Sequence, residues 1–193
     1  MTVKQSAIFL DRDGTINTMP AYADAAFDSP RVPADFVFID GVVEALQQLD
    51  PRYALFVVTN QPGVAYGKIA HEGIVVATND LMTRQLKQFG VIITDVATCL
   101  HSDNRARVVN HNYYHPACGC RKPAPGLVLQ LAQKHNLDLS NSWVIGDRVK
   151  DVAAGQAAGI NNLIIVNYEF SANEVCSFAK NVASMKEAVN LLR

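Results

Sequence analysis

The chain has 193 residues, within the usual size of one compact domain. Hydrophobic residues make up 49% and charged residues 18%, a globular composition that excludes wholesale disorder. With 17 Lys+Arg against 18 Asp+Glu the formal net charge is −1, so the balance gives no electrostatic basis for binding nucleic acid or an anionic membrane.

In chain order, Ser6–Leu10 is a short apolar run that stops at Asp11-Arg12-Asp13-Gly14 and predicts a buried strand ending in a turn. Asn17–Pro33, with three prolines, reads as a long irregular loop of the kind that is often functional. Gly41–Leu49 has helical apolar spacing. Tyr53–Val58 predicts a second strand, Gly73–Phe89 a helix and Val91–Cys99 a third strand. His101–Pro125 reads as a second long loop, and Pro125 suits the first turn of a helix through His135. Ser142–Ile145 predicts a fourth strand, Val149–Ala158 a helix stopped by Gly159, and Leu163–Val166 a fifth strand. Ser184 with Glu187 predicts a capping box before a last helix.

Strands alternating with helices predict an α/β fold, a Rossmann-like three-layer sandwich with a mostly parallel sheet. No repeat or internal boundary interrupts it, so one domain over 1–193 is expected. The apolar runs are far shorter than the roughly 18 residues of a membrane-spanning helix. Ala7–Leu10 is too short for a secretory h-region. A cytoplasmic monomer is expected.

Ligands of such sheets sit at the carboxyl ends of the strands. That rule gathers Asp11, Asp13, Thr59, Asn60 and Asp147 at one edge. Two carboxylates at i and i+2 repel each other unless a cation is present. With Asp147 they suit a hard cation such as Mg²⁺, which prefers oxygen ligands.

Cys99-Leu100-His101 and Cys118-Gly119-Cys120 form a Cys₃His set suited to closed, tetrahedral, structural zinc. His111 and His115 compete with His101 for the imidazole position. In a reducing compartment clustered Cys near His favour metal over disulfides. Cys176 lies apart and reads as a core thiol. Cys120 is two residues before Lys122, so zinc would fix the loop that presents Arg121 and Lys122. Arg121 is the expected contact to a second phosphate, which a guanidinium binds bidentately.

Four runs in order resemble the haloacid dehalogenase superfamily: Phe9–Thr15, Val58-Thr59-Asn60, Lys122 in Cys120-Arg121-Lys122-Pro123, and Ile145–Asp151. The resemblance covers Ala7 to about Val166. It implies a phosphatase without a large cap domain, with Asp11 as nucleophile forming an aspartyl-phosphate and Asp13 as general acid and base. Thr59 and Asn60 would hold the phosphoryl group, and Lys122 would neutralise it and position Asp11. Asp11, the Asp13 backbone carbonyl and Asp147 would bind Mg²⁺, with Asp151 supporting the metal or Lys122.

The Cys-x-His and Cys-x-Cys-Arg-Lys-Pro-x-Pro-Gly runs, with Phe38–Gly41 and Thr59–Ala65, are similar to the D-glycero-D-manno-heptose 1,7-bisphosphate phosphatases. The histidinol-phosphate phosphatase domain shares much of this pattern. The implied substrate is a heptose bisphosphate cleaved at C7, with histidinol phosphate second and a polynucleotide 3′-phosphate third. Tyr66 stands where that family carries a basic residue, and the Asn17–Pro33 and His101–Cys118 segments are longer than usual. A non-catalytic phosphate sensor is the alternative of another class. The presence of both Asp11 and Asp13 argues against it.

Overall fold

The computed structural model describes residues 4–167 and 176–192. The expected domain over 1–193 includes residues 1–3, 168–175 and 193, which lie outside the described residues. The strands are β1 (Gln5–Leu10), β2 (Ala54–Asn60), β3 (Ile93–Cys99), β4 (Leu137–Gly146), β5 (Asn162–Val166) and β6 (Lys180–Val182). They form one sheet in the order β3-β2-β1-β4-β5-β6, and every pairing is parallel. The helices are α1 (Val42–Leu46), α2 (Glu72–Gln88), α3 (Gly126–His135), α4 (Val149–Ala157) and α5 (Met185–Asn190).

Successive strand residues face opposite sides, which divides the core in two. Ile8, Leu10, Val57, Ile145 and Ile164 meet α1, α2 and α5 through Val42, Met82, Leu86 and Val189. Ala7, Phe9, Phe56, Val144 and Ile165 meet α3 and α4 through Leu127, Leu131 and Val152. The three-layer sandwich is therefore as expected, and the central strands read as continuous apolar runs because both faces are covered. Cys176 is buried on the second face. No helix among the described residues is long and apolar enough to cross a membrane.

Several boundaries differ from expectation. The fourth strand begins at Leu137, not Ser142. Pairing with β1 starts at Gln5↔Leu137, breaks, and resumes at Ile8↔Trp143. The polar run Asp138–Ser142 fills the irregular stretch, where Ser142 Oγ accepts from the Ala7 N–H at 2.9 Å. Strand β6 has the sequence Lys-Asn-Val and carries no apolar signal. At α5, Ser184 Oγ accepts from the Glu187 N–H, but the Glu187 carboxylate accepts from Ala183 and not from Ser184, so the expected box closes one residue early.

The Asn17–Pro33 loop is organised around Arg31. Its guanidinium lies 4.0 Å from the Tyr22 ring centre and pairs with Asp24 (2.6 Å) and Asp28 (2.9 Å). Lys68 ties the same Asp28 to the loop after β2 at 2.7 Å. Tyr66 is held from the other long loop: Arg107 lies 4.4 Å over its ring, and its hydroxyl accepts from Ser102 Oγ. Strand order reverses around β1, which has β2 on one side and β4 on the other. Such a switch point opens a crevice at the strands' carboxyl ends.

Candidate active site

Asp11 stands at that crevice, directly after β1, and its N–H extends the ladder to the Ile145 carbonyl at 2.9 Å. Lys122 Nζ donates to Asp11 Oδ1 (2.6 Å) and the Val58 carbonyl (2.8 Å), and lies 2.7 Å from Asp151 Oδ1. All three side chains are buried. Burial disfavours the Lys122 ammonium, but Asp11 and Asp151 outweigh it and raise its pKa. Burial and Asp151 push the Asp11 carboxyl up, against the pull of Lys122.

Asp147 completes a group of three carboxylates whose oxygens, with those of Asp11 and Asp151, lie within 4.8 Å of one another. Burial, then Asp11 and Asp151, push Asp147 up to about 8. Its Oδ2 accepts from Arg148 Nε at 3.3 Å, while its buried Oδ1 has no hydrogen-bond partner among the described residues. A buried orphan oxygen beside two further carboxylates fits a hard divalent cation. Gly14 makes this approach possible. Its φ is +86°, and a Cβ there would lie 2.4 Å from Asp147 Oδ2.

Asp13 departs from the expectation of two clustered, repelling carboxylates. Its side chain accepts from Arg12 Nε (3.0 Å) and Nη2 (3.1 Å), Asn17 Nδ2 (3.0 Å) and Gln61 Nε2 (2.6 Å). Burial would raise its pKa, but the Arg12 charge and these bonds lower it, so the carboxylate is held ionised. Arg12 is itself fully buried, and its Nη1 donates to Asn79 Oδ1 of α2 at 2.7 Å. The carboxylates that Asp11 meets are instead Asp147 and Asp151.

Thr59 and Asn60 end β2 at the same edge. Thr59 Oγ1 accepts from Gln61 Nε2 at 2.8 Å. The Asn60 side chain also reaches Lys122: Nδ2 donates to the Lys122 carbonyl and Oδ1 accepts from the Lys122 N–H, both at 3.1 Å. Its side chain therefore holds the Lys122 peptide, at a residue that also lines the pocket containing Asp11.

The Cys₃His set comes together as expected. Cys120 Sγ lies 2.9 Å from Cys99 Sγ and 3.0 Å from Cys118 Sγ, and His101 Nδ1 lies 3.0 Å from Cys118 Sγ. The four ligand atoms all fall within 4.8 Å of one another. Burial opposes ionisation of Cys118, but bonds from Cys120 and His101 bring it down to about 6. His101 is the imidazole of the cluster. His115 packs against its ring at a tilt of 49°, with centroids 4.4 Å apart, and His111 lies in a short 3₁₀ turn outside the cluster. Arg121 does not line the Asp11 pocket. Its Nη1 donates to the His101 carbonyl (3.1 Å) and its Nε faces Asp103 (3.4 Å), so it braces the cysteine loop.

The pocket around Asp11 has a volume of about 70 Å³ and is lined by Thr59, Asn60, Lys122 and Asp147 together with Met19, Ser29, Arg148 and Lys150. A larger groove of about 470 Å³, lined by Leu46, Tyr53 and Val91, holds no comparable cluster of polar groups.

The sequence matches, over residues 119–180, a family model described as HAD-hydrolase-like. It is 37% identical over 163 residues to the D-glycero-beta-D-manno-heptose-1,7-bisphosphate 7-phosphatase of Pasteurella multocida, covering 84% of this chain and 82% of that one. The chain belongs to the heptose-bisphosphate phosphatase family of the haloacid dehalogenase superfamily. This phosphatase is also 32% identical over 192 residues to the D-glycero-alpha-D-manno-heptose-1,7-bisphosphate 7-phosphatase of Campylobacter jejuni, covering 99% of this chain and 98% of that one. A structure described as a HAD-like phosphatase from Mesorhizobium loti matches with a TM-score of 0.78 at 27% identity, covering 98% of this chain and 88% of that one. The D,D-heptose 1,7-bisphosphate phosphatase of B. bronchiseptica shares the fold, with a TM-score of 0.75 at 23% identity and 97% coverage of both chains.

Sequence reasoning assigned no role in this phosphatase to Gln61, Arg148 or Lys150, or individually to Met19 and Ser29 of the Asn17–Pro33 loop. Arg148 and Lys150 carried a usable signal, since they follow Asp147 at the sheet edge where the first turn of α4 begins. Gln61 carried none beyond its place after β2, because its partners Asp13 and Thr59 are fixed by tertiary structure.

Proposed function

We propose that this phosphatase removes the C7 phosphate of D-glycero-D-manno-heptose 1,7-bisphosphate through an aspartyl-phosphate on Asp11. The observation that carries the reading is Asp11 at the pocket floor, with Lys122 Nζ 2.6 Å from its Oδ1. The names of the relatives supply the substrate.

An Asp11 oxygen attacks phosphorus in line as the bond to the C7 oxygen breaks. Asp13 enters this step protonated, and the leaving oxygen takes that proton, which leaves the ionised carboxylate that Arg12 and Gln61 hold. That carboxylate then accepts a proton from the water that attacks the aspartyl-phosphate, releasing inorganic phosphate and restoring both aspartates. Lys122 and the Thr59 hydroxyl balance charge on the equatorial phosphoryl oxygens. Asn60 acts by fixing Lys122, and Asp151 by sharing its ammonium.

Asp11, Asp147 and the Asp13 carbonyl would hold Mg²⁺, which supplies further neutralisation of phosphoryl charge. The orphaned Asp147 Oδ1 supports that assignment. Cys99, His101, Cys118 and Cys120 would hold zinc in a closed structural site. The same reading takes residues 1–193 as one domain working as a cytoplasmic monomer.

The test is phosphate release, with Mg²⁺ and with EDTA, from both heptose bisphosphate anomers, histidinol phosphate and a 3′-phosphorylated oligonucleotide. The expected result is Mg²⁺-dependent preference for one heptose anomer, abolished in Asp11→Asn. Turnover that survives in Asp11→Asn overturns the mechanism, and preference for histidinol phosphate overturns the substrate.

A further inference from the structure

Three cationic side chains line the pocket that holds Asp11: Lys122, Arg148 and Lys150. Two have partners inside the fold. Lys122 is shared among Asp11, Asp151 and the Val58 carbonyl. Arg148 Nε lies 3.3 Å from Asp147 Oδ2. Lys150 is exposed, and no hydrogen bond or ion pair joins it to any of the described residues.

Its helix terminus disfavours a cation, although the Lys150 charge also acts favourably on Asp11 and Asp147 across the pocket. Lys150 is the second residue of α4, where the helix dipole and unsatisfied N–H groups present positive charge. Arg148, the N-cap residue, adds a second cation at the same end. The acid of that turn, Asp151, does not offset them, since its oxygens serve Lys122 and the Arg148 N–H. An exposed cation that lines the pocket and makes no hydrogen bond or ion pair within the fold is arranged to meet an anion from outside.

The hydrolysed phosphoryl group lies against Asp11 and is served by Lys122, so the anion left for Lys150 is one carried elsewhere on the substrate. Arg121, expected from sequence to take such a group, faces the His101 carbonyl and Asp103 instead. We infer that Lys150 binds the distal phosphate of a bisphosphorylated sugar and sets the preference for that substrate over the corresponding monophosphate. The inference rests on the proposed sugar-bisphosphate hydrolysis.

The experiment compares wild type, Lys150→Gln and Lys150→Arg on heptose 1,7-bisphosphate and on heptose 7-phosphate, which carries the reacting phosphate alone. Thermal melting checks that each variant is folded. A hydrogen bond to a charged group is worth enough to change affinity by about tenfold. Lys150→Gln should therefore lower the ratio of kcat/KM for bisphosphate over monophosphate by about tenfold, through KM. Lys150→Arg should retain most of the ratio, and the wild-type ratio should fall with added salt. An unchanged ratio in Lys150→Gln, with a wild type that favours the bisphosphate, overturns the inference and leaves the proposed function standing. A wild type that hydrolyses neither heptose ester overturns the proposed function. The ratio is then read on fructose 1,6-bisphosphate against fructose 6-phosphate. If it is still insensitive to Lys150, or if neither of those is cleaved, the inference falls too.

Discussion

Asn60 grips the peptide of Lys122 from both sides, donating to its carbonyl and accepting from its N–H at 3.1 Å each. The two residues are 62 apart in sequence, and the clasp joins the end of β2 to the cysteine loop. Lys122 thus reaches Asp11 from a backbone held on one side by Asn60 and on the other by the Cys₃His cluster. Asn60→Ala removes both bonds. Displacing a catalytic group by about 1 Å can cost on the order of 100-fold in rate. The expected outcome is a kcat about 10- to 100-fold lower with a far smaller change in KM, read by steady-state kinetics. A kcat within twofold of wild type would show that the clasp does not position Lys122.

The cluster itself is tested by Cys118→Ser. Both core faces are built largely from strand and helix residues outside the loop that carries this cysteine. Zinc content measured by mass spectrometry should fall from one equivalent to well below one, and activity should be lost. Far-UV circular dichroism should remain close to wild type. Global unfolding of the variant would mean that the loop stabilises the whole sheet.

Gly14→Ala tests the approach of Asp147. The substitution strains a backbone at φ +86° and drives a methyl group into the carboxylate. The expected loss of stability is roughly 1–3 kcal/mol, measured by urea denaturation. Activity should fall at saturating Mg²⁺ by on the order of 100-fold. A variant with normal activity would show that Asp147 can move aside without consequence.

Acid stability is predicted from a site remote from the chemistry. Asp95 of β3 accepts from Lys134 (2.7 Å) and pairs with His135 Nε2 (2.8 Å) at the end of α3. Burial would raise its pKa, but His135 and Lys134 lower it below 3.8. A carboxyl with a depressed folded-state pKa contributes stability above 3.8 and loses it as pH falls through the folded value. Asp95→Asn should cost about 0.5–1 kcal/mol at pH 7, as partly exposed pairs do. In thermal melts the gap from wild type should close below pH 4, roughly where the carboxyl protonates. A gap that persists at pH 2.5, or about that, would assign the effect to packing.

The parts of the site legible in sequence were those that follow buried apolar strands. Asp11, Thr59 and Asp147 could be placed at one edge because β1, β2 and β4 each end in a readable apolar run. The Cys₃His set was legible from spacing, although choosing His101 over His111 and His115 required the fold. What could not be read depends on side-chain direction. The turn at Gly14 sends Asp13 to Arg12 and Gln61 while Asp11 faces Asp147. The Asn60 amide bonds to Lys122, a partner that no local pattern relates to it. Strand β6 and the first half of β4 were missed for a simpler reason: β6 is a short run that pairs through its backbone, and the polar Asp138–Ser142 stretch is held by side-chain bonds such as that between Ser142 Oγ and the Ala7 N–H.

An all-parallel sheet also divides the molecule for practical use. Asp11, the carboxylate group and the cysteine loop crowd the carboxyl rim, while the exposed Pro51–Arg52 turn precedes β2 at the opposite rim. The seven residues of β2 separate the two by about 23 Å at roughly 3.3 Å per residue. A tether or affinity handle inserted in that turn would anchor the enzyme to a surface with its pocket facing the solution.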